Sequence, residues 1–158
     1  MGETSWLVTD ILMFTGAGNA GTSGGIRVTT LAVLVLMVTA EARGLSTVNA
    51  FRRRIPVGAQ HQALAVTILG LGAVVAATLA ITAQSELPLS RTTFEAFSAF
   101  GTVGLTTGIT PQLPLPSQNI LILLMFLGRT GPITLATALA LRDREPRYRF
   151  PEERPIIG

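Results

Sequence analysis

The sequence has no cysteine, and His61 is the single histidine among its 158 residues. Without thiols the chain can form no disulfide, no thiolate metal site and no cysteine nucleophile, and one histidine cannot build a multi-histidine zinc centre. Charged residues make up only 13% of the chain, whereas 48% of it is hydrophobic. Because the apolar residues lie in long runs, this composition favours an all-α membrane protein over a soluble one.

The few charges are concentrated beside the apolar runs. All 12 basic residues are arginines, and most of them fall in two clusters, at 43–54 and at 142–154. Arginine-rich segments next to apolar spans stay in the cytoplasm. We therefore predict a multi-pass protein of the cell membrane with both clusters cytoplasmic. Although the net charge of +3 is also compatible with a nucleic-acid partner, the position of the arginines predicts none.

Two apolar runs, Ala63–Ala83 and Ile120–Leu141, reach the ~20 residues that a membrane-spanning helix needs. The first run starts beside an arginine cluster and crosses outward, and the second ends beside one and returns inward. Between them, the amphipathic segment Leu89–Phe100 is too short to cross and carries three phenylalanines on one helical face. We expect Ser90 to cap a helix over Arg91–Phe100. The pattern predicts a helix, a re-entrant pore loop and a second helix. The alternative for 89–100 is a surface helix outside the membrane.

A Thr-Val-Gly motif follows the short helix directly. Selective passage of K⁺ requires several oxygens to replace the water shell of the ion, and backbone carbonyls serve when successive residues direct them to one side. Glycine adopts the unusual backbone angles that such a loop requires. We predict an ion filter, with K⁺ bound, at Thr102, Val103, Gly104 and Leu105. The alternative is an ordinary surface turn rich in glycine and threonine.

The N-terminal part of the chain contains two half-length apolar pieces, Trp6–Phe14 and Leu31–Ala40, on either side of a glycine-rich break at 15–25. This pattern indicates one discontinuous transmembrane helix, and a break at membrane depth is tolerated only inside protein or along a watery path. The break is a candidate functional element on an ion path through Gly16, Gly18, Gly21, Thr22, Ser23, Gly24 and Gly25.

The same glycines also match Gly-x-Gly-x-x-Gly, with Glu41 about twenty residues further on, as in a dinucleotide-binding motif. That alternative, a soluble nucleotide-binding module, needs a strand on each side of the glycines. The apolar run that follows them does not predict one.

Arg129 lies within the second long apolar run, roughly 14 Å below its outer end. A guanidinium at this depth cannot easily reach either surface, and such a charge normally faces the bundle interior or an aqueous path. We predict a pore-facing charge that either raises the barrier to cations or holds a gating loop by hydrogen bonds to its carbonyls. The alternative is a structural ion pair with a carboxylate of a neighbouring helix.

Three runs resemble the Trk/Ktr/HKT superfamily of potassium transporters, in the TrkH/KtrB-like membrane subunit. They read MFTGAGNAGTSGGIRVTT at 13–30, FSAFGTVGLTTGITP at 97–111 and MFLGRTGPIT at 125–134. The resemblance implies four helix–pore-loop–helix repeats around one pore that carries K⁺ or Na⁺, with no enzymatic activity and no covalent cofactor. It makes Gly104 the filter glycine of the fourth repeat, 15–25 an intramembrane gating loop, and Arg129 a charge that approaches that loop.

The resemblance also implies an organisation for the whole chain. Residues 1–45 correspond to the broken second helix of the third repeat, 46–62 to a cytoplasmic linker, 63–141 to the complete fourth repeat and 142–158 to a cytoplasmic tail. The chain is then a C-terminal portion of a longer transporter, or assembles with other copies. Expected partners are the remaining repeats, a second transporter in a homodimer, a cytosolic nucleotide-binding regulatory subunit and the lipid membrane. The alternative function is a non-transporting membrane scaffold or truncated remnant.

Overall fold

The computed structural model describes residues 3–16, 24–44, 48–50, 53–85 and 87–141. These residues form five α-helices: Glu3–Thr15 (α1), Val28–Ala42 (α2), Val57–Gln84 (α3), Leu89–Gly101 (α4) and Leu115–Leu141 (α5). The remaining regular structure is a hairpin of two-residue strands, Asn49–Ala50 (β1) and Arg53–Arg54 (β2), and a 3₁₀ turn at Thr110–Gln112. The predicted all-α fold is confirmed. The predicted tail 142–158, and 17–23 of the glycine-rich break, lie outside the described residues.

The two long helices begin earlier than their apolar runs. Helix α3 starts directly after Pro56, which stands at the N-cap position in an extended conformation, and the Gln60 side chain donates to the Ile55 carbonyl. In α5, the Pro114 carbonyl accepts the N–H groups of Ser117 and Gln118 and so closes the first turn. Each helix therefore contains the predicted apolar run and, before it, an N-terminal segment that includes polar residues. Within the described residues, α3 is the helix that is long and apolar enough to cross a membrane.

Helix α4 lies at the centre of the molecule and packs against α1, α3 and α5. The helical face that carries its phenylalanines is buried, as their spacing predicts: Phe94 and Phe100 are both buried. On the α1 side, the Phe14 ring meets Phe97 edge-on at 5.6 Å and lies 5.7 Å from Phe100. These aromatic contacts hold the short helix between its longer neighbours.

The start of α4 differs from the prediction. The N-cap residue is Pro88, with φ −59° and ψ 136°, and no side chain caps the helix. The Pro88 carbonyl accepts the N–H groups of Arg91 and Thr92. The helix therefore begins at Leu89, and Ser90 already lies inside its first turn, past the position from which a hydroxyl can cap it. The prediction that Ser90 caps α4 is wrong.

Helices flank the glycine-rich break on both sides, as predicted for a discontinuous helix. Gly16 and Gly25 have φ of +67° and +92°, angles that glycine adopts at no steric cost. The two ends of the break meet, because a Cβ on Gly16 would lie 2.3 Å from the Gly24 carbonyl oxygen, and the Ile26 N–H donates to the Phe14 carbonyl. Since helices and not strands stand on both sides, the glycines lack the strand–turn–helix setting of a dinucleotide site.

Candidate functional site

The predicted filter begins at the C-terminal end of α4. Thr102 follows the last helical residue with φ 50° and ψ 38°, and its N–H donates to the Ala99 and Ser98 carbonyls. A β-branched residue in this left-handed conformation is a genuine outlier, and the conformation costs about 1–2 kcal/mol. Its hydroxyl accepts the Gly24 N–H at 2.6 Å. The first residue of the predicted filter is therefore tied to the end of the glycine-rich break.

The chain then turns back along α4. The Val103 N–H donates to the Ser98 carbonyl at 3.0 Å, and the Ser98 hydroxyl donates to the Leu105 carbonyl. Between these bonds lies Gly104, with φ +83° and open space where a Cβ would stand; Gly108 further on has φ +84°. The loop thus needs glycine at 104 for its backbone angle and not for lack of room.

A buried carboxylate holds the next part of the loop. Glu95, in the middle of α4, is 5% exposed. Its Oε1 accepts the Thr106 hydroxyl at 2.6 Å, the Thr107 N–H at 2.8 Å and the Thr107 hydroxyl at 3.1 Å, and its Oε2 accepts the Thr110 hydroxyl at 3.0 Å. The sequence prediction missed this residue. A glutamate on the helix that carries the phenylalanines, followed by a cluster of threonines, is the signal that indicates it.

Three elements meet at the C-terminal end of α4 by backbone contact. The Gly25 N–H donates to the Gly128 carbonyl of α5 at 3.2 Å. A Cβ on Gly128 would lie 1.9 Å from the Phe100 carbonyl oxygen, and one on Gly24 would lie 2.7 Å from it. A side chain at either glycine would collide with the main chain, so the break, α4 and α5 also touch main chain to main chain.

An internal repeat in the sequence marks this junction, although the sequence prediction did not use it. Leu-Met-Phe-x-Gly occurs at 12–16 and again at 124–128. The copy at 12–16 contacts the end of α4 as the copy at 124–128 does, because a Cβ on Gly101 would lie 2.5 Å from the Met13 carbonyl oxygen. The end of α4 therefore lies between the two copies.

The remaining predicted site residues lie around the same junction. Gly16, Gly24 and Gly25 are at the two ends of the break, whereas Gly18, Gly21, Thr22 and Ser23 lie outside the described residues. Arg129 has an exposed side chain and follows Gly128, which contacts Gly25. The structure thus brings the filter segment, the ends of the break and the backbone at Arg129 to one place.

One further acidic residue was missed. Asp10 on α1 is 6% exposed, and its Oδ1 has no hydrogen-bond partner among the described residues. It borders a cavity of about 310 Å³ with Trp6, Ser90 and Thr93, between the N-terminal parts of α1 and α4. The sequence indicated it only as an interruption of an apolar stretch.

Comparison with known proteins identifies the class. Residues 5–147 match the TrkH family, described as cation transport protein, and the chain belongs to this family of membrane cation transporters. The predicted resemblance to the Trk/Ktr/HKT superfamily is confirmed, and the family is one of transporters and not of enzymes.

Individual relatives agree with the family. The chain is 39% identical over its whole length to the Ktr system potassium uptake protein B of Bacillus subtilis, of which it covers 35%. It is 34% identical over its whole length to the potassium/sodium uptake protein NtpJ of Enterococcus hirae, of which it covers 36%. It is 37% identical over 93% of its length to the Ktr system potassium uptake protein D of Bacillus subtilis, of which it covers 33%. The chain spans about a third of the length of these relatives.

Proposed function

We propose that the chain contributes one filter segment, with its gate, to a pore for the uptake of monovalent cations, K⁺ in the first place. The observation that carries the proposal is the loop after α4, which runs back along the helix with a left-handed residue at Thr102 and a second at Gly104. Support comes from the family and from relatives named for potassium or potassium/sodium uptake.

The ion would meet backbone carbonyls at the end of a helix. The C-terminus of α4 carries about half a negative elementary charge from its peptide dipoles, which attracts a cation to the loop beyond Gly101. Because the Leu105 carbonyl accepts the Ser98 hydroxyl, we assign the ion-facing carbonyls to Thr102, Val103 and Gly104. Leu105, the fourth predicted filter residue, then joins the loop to α4.

The break between α1 and α2 is the proposed gate. Its end at Gly24–Gly25 lies against the carbonyl of Phe100, the hydroxyl of Thr102 and the carbonyl of Gly128. A loop in this position would obstruct the path directly below the filter, and its displacement would open it. Arg129, next to Gly128, would add a positive charge that raises the barrier to cations.

The proposed orientation in the membrane follows from the arginines. Helix α3 runs outward from the cytoplasmic cluster at 43–54, α4 dips back in from the outer side, and α5 returns to the cluster at 142–154. Residues 1–45, 46–62, 63–141 and 142–158 are the broken helix, the linker, the complete repeat and the tail of this arrangement.

One filter segment cannot surround an ion. We propose that the remaining segments come from further repeats of the same transporter or from other copies of this chain. A homodimer of complete transporters and a cytosolic nucleotide-binding subunit complete the proposed assembly. The names of two relatives as parts of a Ktr system are in line with a subunit that works with others.

The test is uptake by the complete transporter that carries this chain, in a host without K⁺ uptake of its own. Gly104→Ala adds a methyl group that meets nothing within 4 Å but stands at φ +83°. A left-handed alanine costs about 1–2 kcal/mol, so we expect K⁺ uptake or the K⁺/Na⁺ ratio to fall about tenfold. Gly72→Ala is the matched control, because its Cβ also meets nothing within 4 Å and Gly72 lies within α3, far along the chain from the loop.

Two results would contradict the proposal. Uptake and ion ratio that are the same in Gly104→Ala and in wild type would mean that the loop is no filter. Absence of uptake by the wild-type protein, present in the membrane, would favour the non-transporting scaffold.

A further inference from the structure

We propose that Glu95 is a positioning residue that sets ion discrimination, because its buried carboxylate anchors the outer half of the filter loop to α4. The inference rests on the proposed function and deepens it. Glu95 itself lies behind the loop and is not proposed to touch the ion.

The anchor uses both oxygens of the carboxylate. Three residues of the loop, Thr106, Thr107 and Thr110, donate four hydrogen bonds to them, at 2.6 to 3.1 Å. A carboxylate buried in an apolar setting is costly unless its oxygens are satisfied, and hydrogen bonds to an ionised acceptor are about twice as strong as neutral ones. The carboxylate therefore ties to α4 both the irregular stretch at Thr106 and Thr107 and the start of the 3₁₀ turn at Thr110.

The Thr106 hydroxyl links this anchor to the backbone of the loop. It donates to Glu95 and accepts the Gly108 N–H at 2.9 Å. Gly108 has φ +84°, so the bond lies where the loop reverses. The anchor therefore fixes the direction of the loop as well as its distance from α4.

The filter segment lies between two fixed ends. Its inner end is held by two hydrogen bonds. The Thr102 hydroxyl accepts the Gly24 N–H, and the Val103 N–H donates to the Ser98 carbonyl. Its outer end is held by Glu95. Val103, Gly104 and Leu105 lie between these ends; the Leu105 carbonyl accepts the Ser98 hydroxyl, and Gly104 is exposed. The position of the Val103 and Gly104 carbonyls therefore depends on both anchors together with Ser98.

Discrimination between K⁺ and Na⁺ depends on the size of the carbonyl cage and on the number and field strength of its oxygens. A loop that is released at its outer end can draw its carbonyls closer around the smaller Na⁺. Loss of the anchor should therefore reduce the K⁺/Na⁺ ratio more than it reduces total uptake.

The test measures uptake of K⁺ and of Na⁺ by the complete transporter, together with its amount in the membrane. In Glu95→Gln, the amide oxygen can keep the bonds from Thr106 and Thr107, but an NH₂ group replaces the oxygen that accepts from Thr110. The bonds that remain also lose the strength that the charge of the carboxylate gives them. We expect the K⁺/Na⁺ ratio to fall about tenfold, the equilibrium factor of one hydrogen bond to a charged group. Glu41→Gln is the matched control, because Glu41 is an exposed glutamate on α2.

A second variant separates positioning from the charge itself. Thr106→Val combined with Thr110→Val keeps the carboxylate and removes two of its donors. If Glu95 positions the loop, this variant should reduce the ratio as Glu95→Gln does, whereas an effect of the charge alone would leave the ratio unchanged. Thr93→Val is its control, since the Thr93 hydroxyl bonds to the Leu89 carbonyl of its own helix.

The outcomes are distinguishable from failure of the proposed function. If wild type transports K⁺ selectively and both loop variants keep its K⁺/Na⁺ ratio, the inference about Glu95 is wrong, whereas the proposed function is unaffected. If neither variant accumulates in the membrane, Glu95 serves the fold and the inference is likewise wrong. If wild type transports no cation, the proposed function itself fails.

Discussion

Gly104 and Gly128 are glycines for different physical reasons. At Gly104 a side chain would have room, but φ is +83°. At Gly128, inside helix α5, a Cβ would lie 1.9 Å from the Phe100 carbonyl oxygen. The first residue is required by a backbone angle, and the second by the distance between two main chains. Substitution of the first should alter the loop, and substitution of the second should separate α4 from α5.

We expect Gly128→Ala to destabilise the protein by about 1–3 kcal/mol or more, the usual cost of adding a methyl group where there is no space. The backbone of Phe100 cannot move aside without displacing the end of α4. Thermal unfolding of the purified protein in detergent measures the effect. Gly131→Ala, one turn further along α5 with nothing within 4 Å of its Cβ, is the control. Equal unfolding temperatures for the two variants would contradict the close contact.

At the scale of elements, the described end of the glycine-rich break is linked to the end of α4 through the Thr102 side chain in addition to backbone contacts. The Thr102 hydroxyl accepts the Gly24 N–H across 78 positions of sequence. Because Thr102 stands in a strained left-handed conformation, this bond is a candidate for a functional constraint. It connects the proposed gate directly to the first residue of the proposed filter.

We expect Thr102→Val to increase cation uptake about tenfold. The Gly24 N–H would lose its hydrogen-bond partner, and an unsatisfied buried donor costs about 1–3 kcal/mol. Because this cost falls on the closed position of the loop, the open position becomes more populated. Valine keeps the branched shape of threonine, so the packing is preserved. Measured uptake should rise while the K⁺/Na⁺ ratio stays close to that of wild type, because the bond from the Val103 N–H to the Ser98 carbonyl still holds the inner end of the filter segment. Thr67→Val, which removes a hydroxyl bonded within α3, serves as control.

A different result for Thr102→Val would assign the hydroxyl another role. A lowered K⁺/Na⁺ ratio without an increase in uptake would mean that the hydroxyl binds the ion and does not hold the loop. Uptake and ratio both equal to those of wild type would contradict the link between filter and gate.

At the scale of the whole molecule, the long helices carry large apolar side chains on their outer surface. Leu79 on α3 is 61% exposed, and Leu123 and Phe126 on α5 are 61% and 67% exposed. Contiguous apolar surface of this kind marks contact with a membrane or with other protein. In the proposed arrangement both apply, because each repeat would face lipid on one side and its neighbouring repeats on the other.

The proposed orientation can be tested by single cysteines, since the chain contributes none of its own. Leu115→Cys, at the start of α5, should react with a membrane-impermeant maleimide from outside only, and Gly58→Cys, at the start of α3, from the cytoplasmic side only. Leu124→Cys, at a position 2% exposed, should react from neither side. Labelling of positions 58 and 115 from the same side would contradict the topology drawn from the arginines.

Much of this molecule was predictable from the order of residues. Apolar runs of sufficient length predict α3 and α5 because hydrocarbon must be removed from water. The phenylalanine spacing predicts the buried face of α4, and the glycines predict the interruption after Thr15. These features depend on local composition and period, so neighbouring residues are enough to specify them. The start of α4 was missed because Pro88, and not a capping hydroxyl at Ser90, ends the preceding segment.

The sequence by itself determined the helices, their interruption and the membership of a cation transport family. Only the tertiary structure decided which groups meet: the Thr102 hydroxyl with Gly24, the Glu95 carboxylate with the threonines of the loop, and Gly128 with the main chain of Phe100. Hydrogen bonds and backbone contacts act over a few ångströms, between residues that the folded chain brings together from distant positions. Their partners therefore follow from the packing of α1, α4 and α5 and leave no periodic pattern in the sequence.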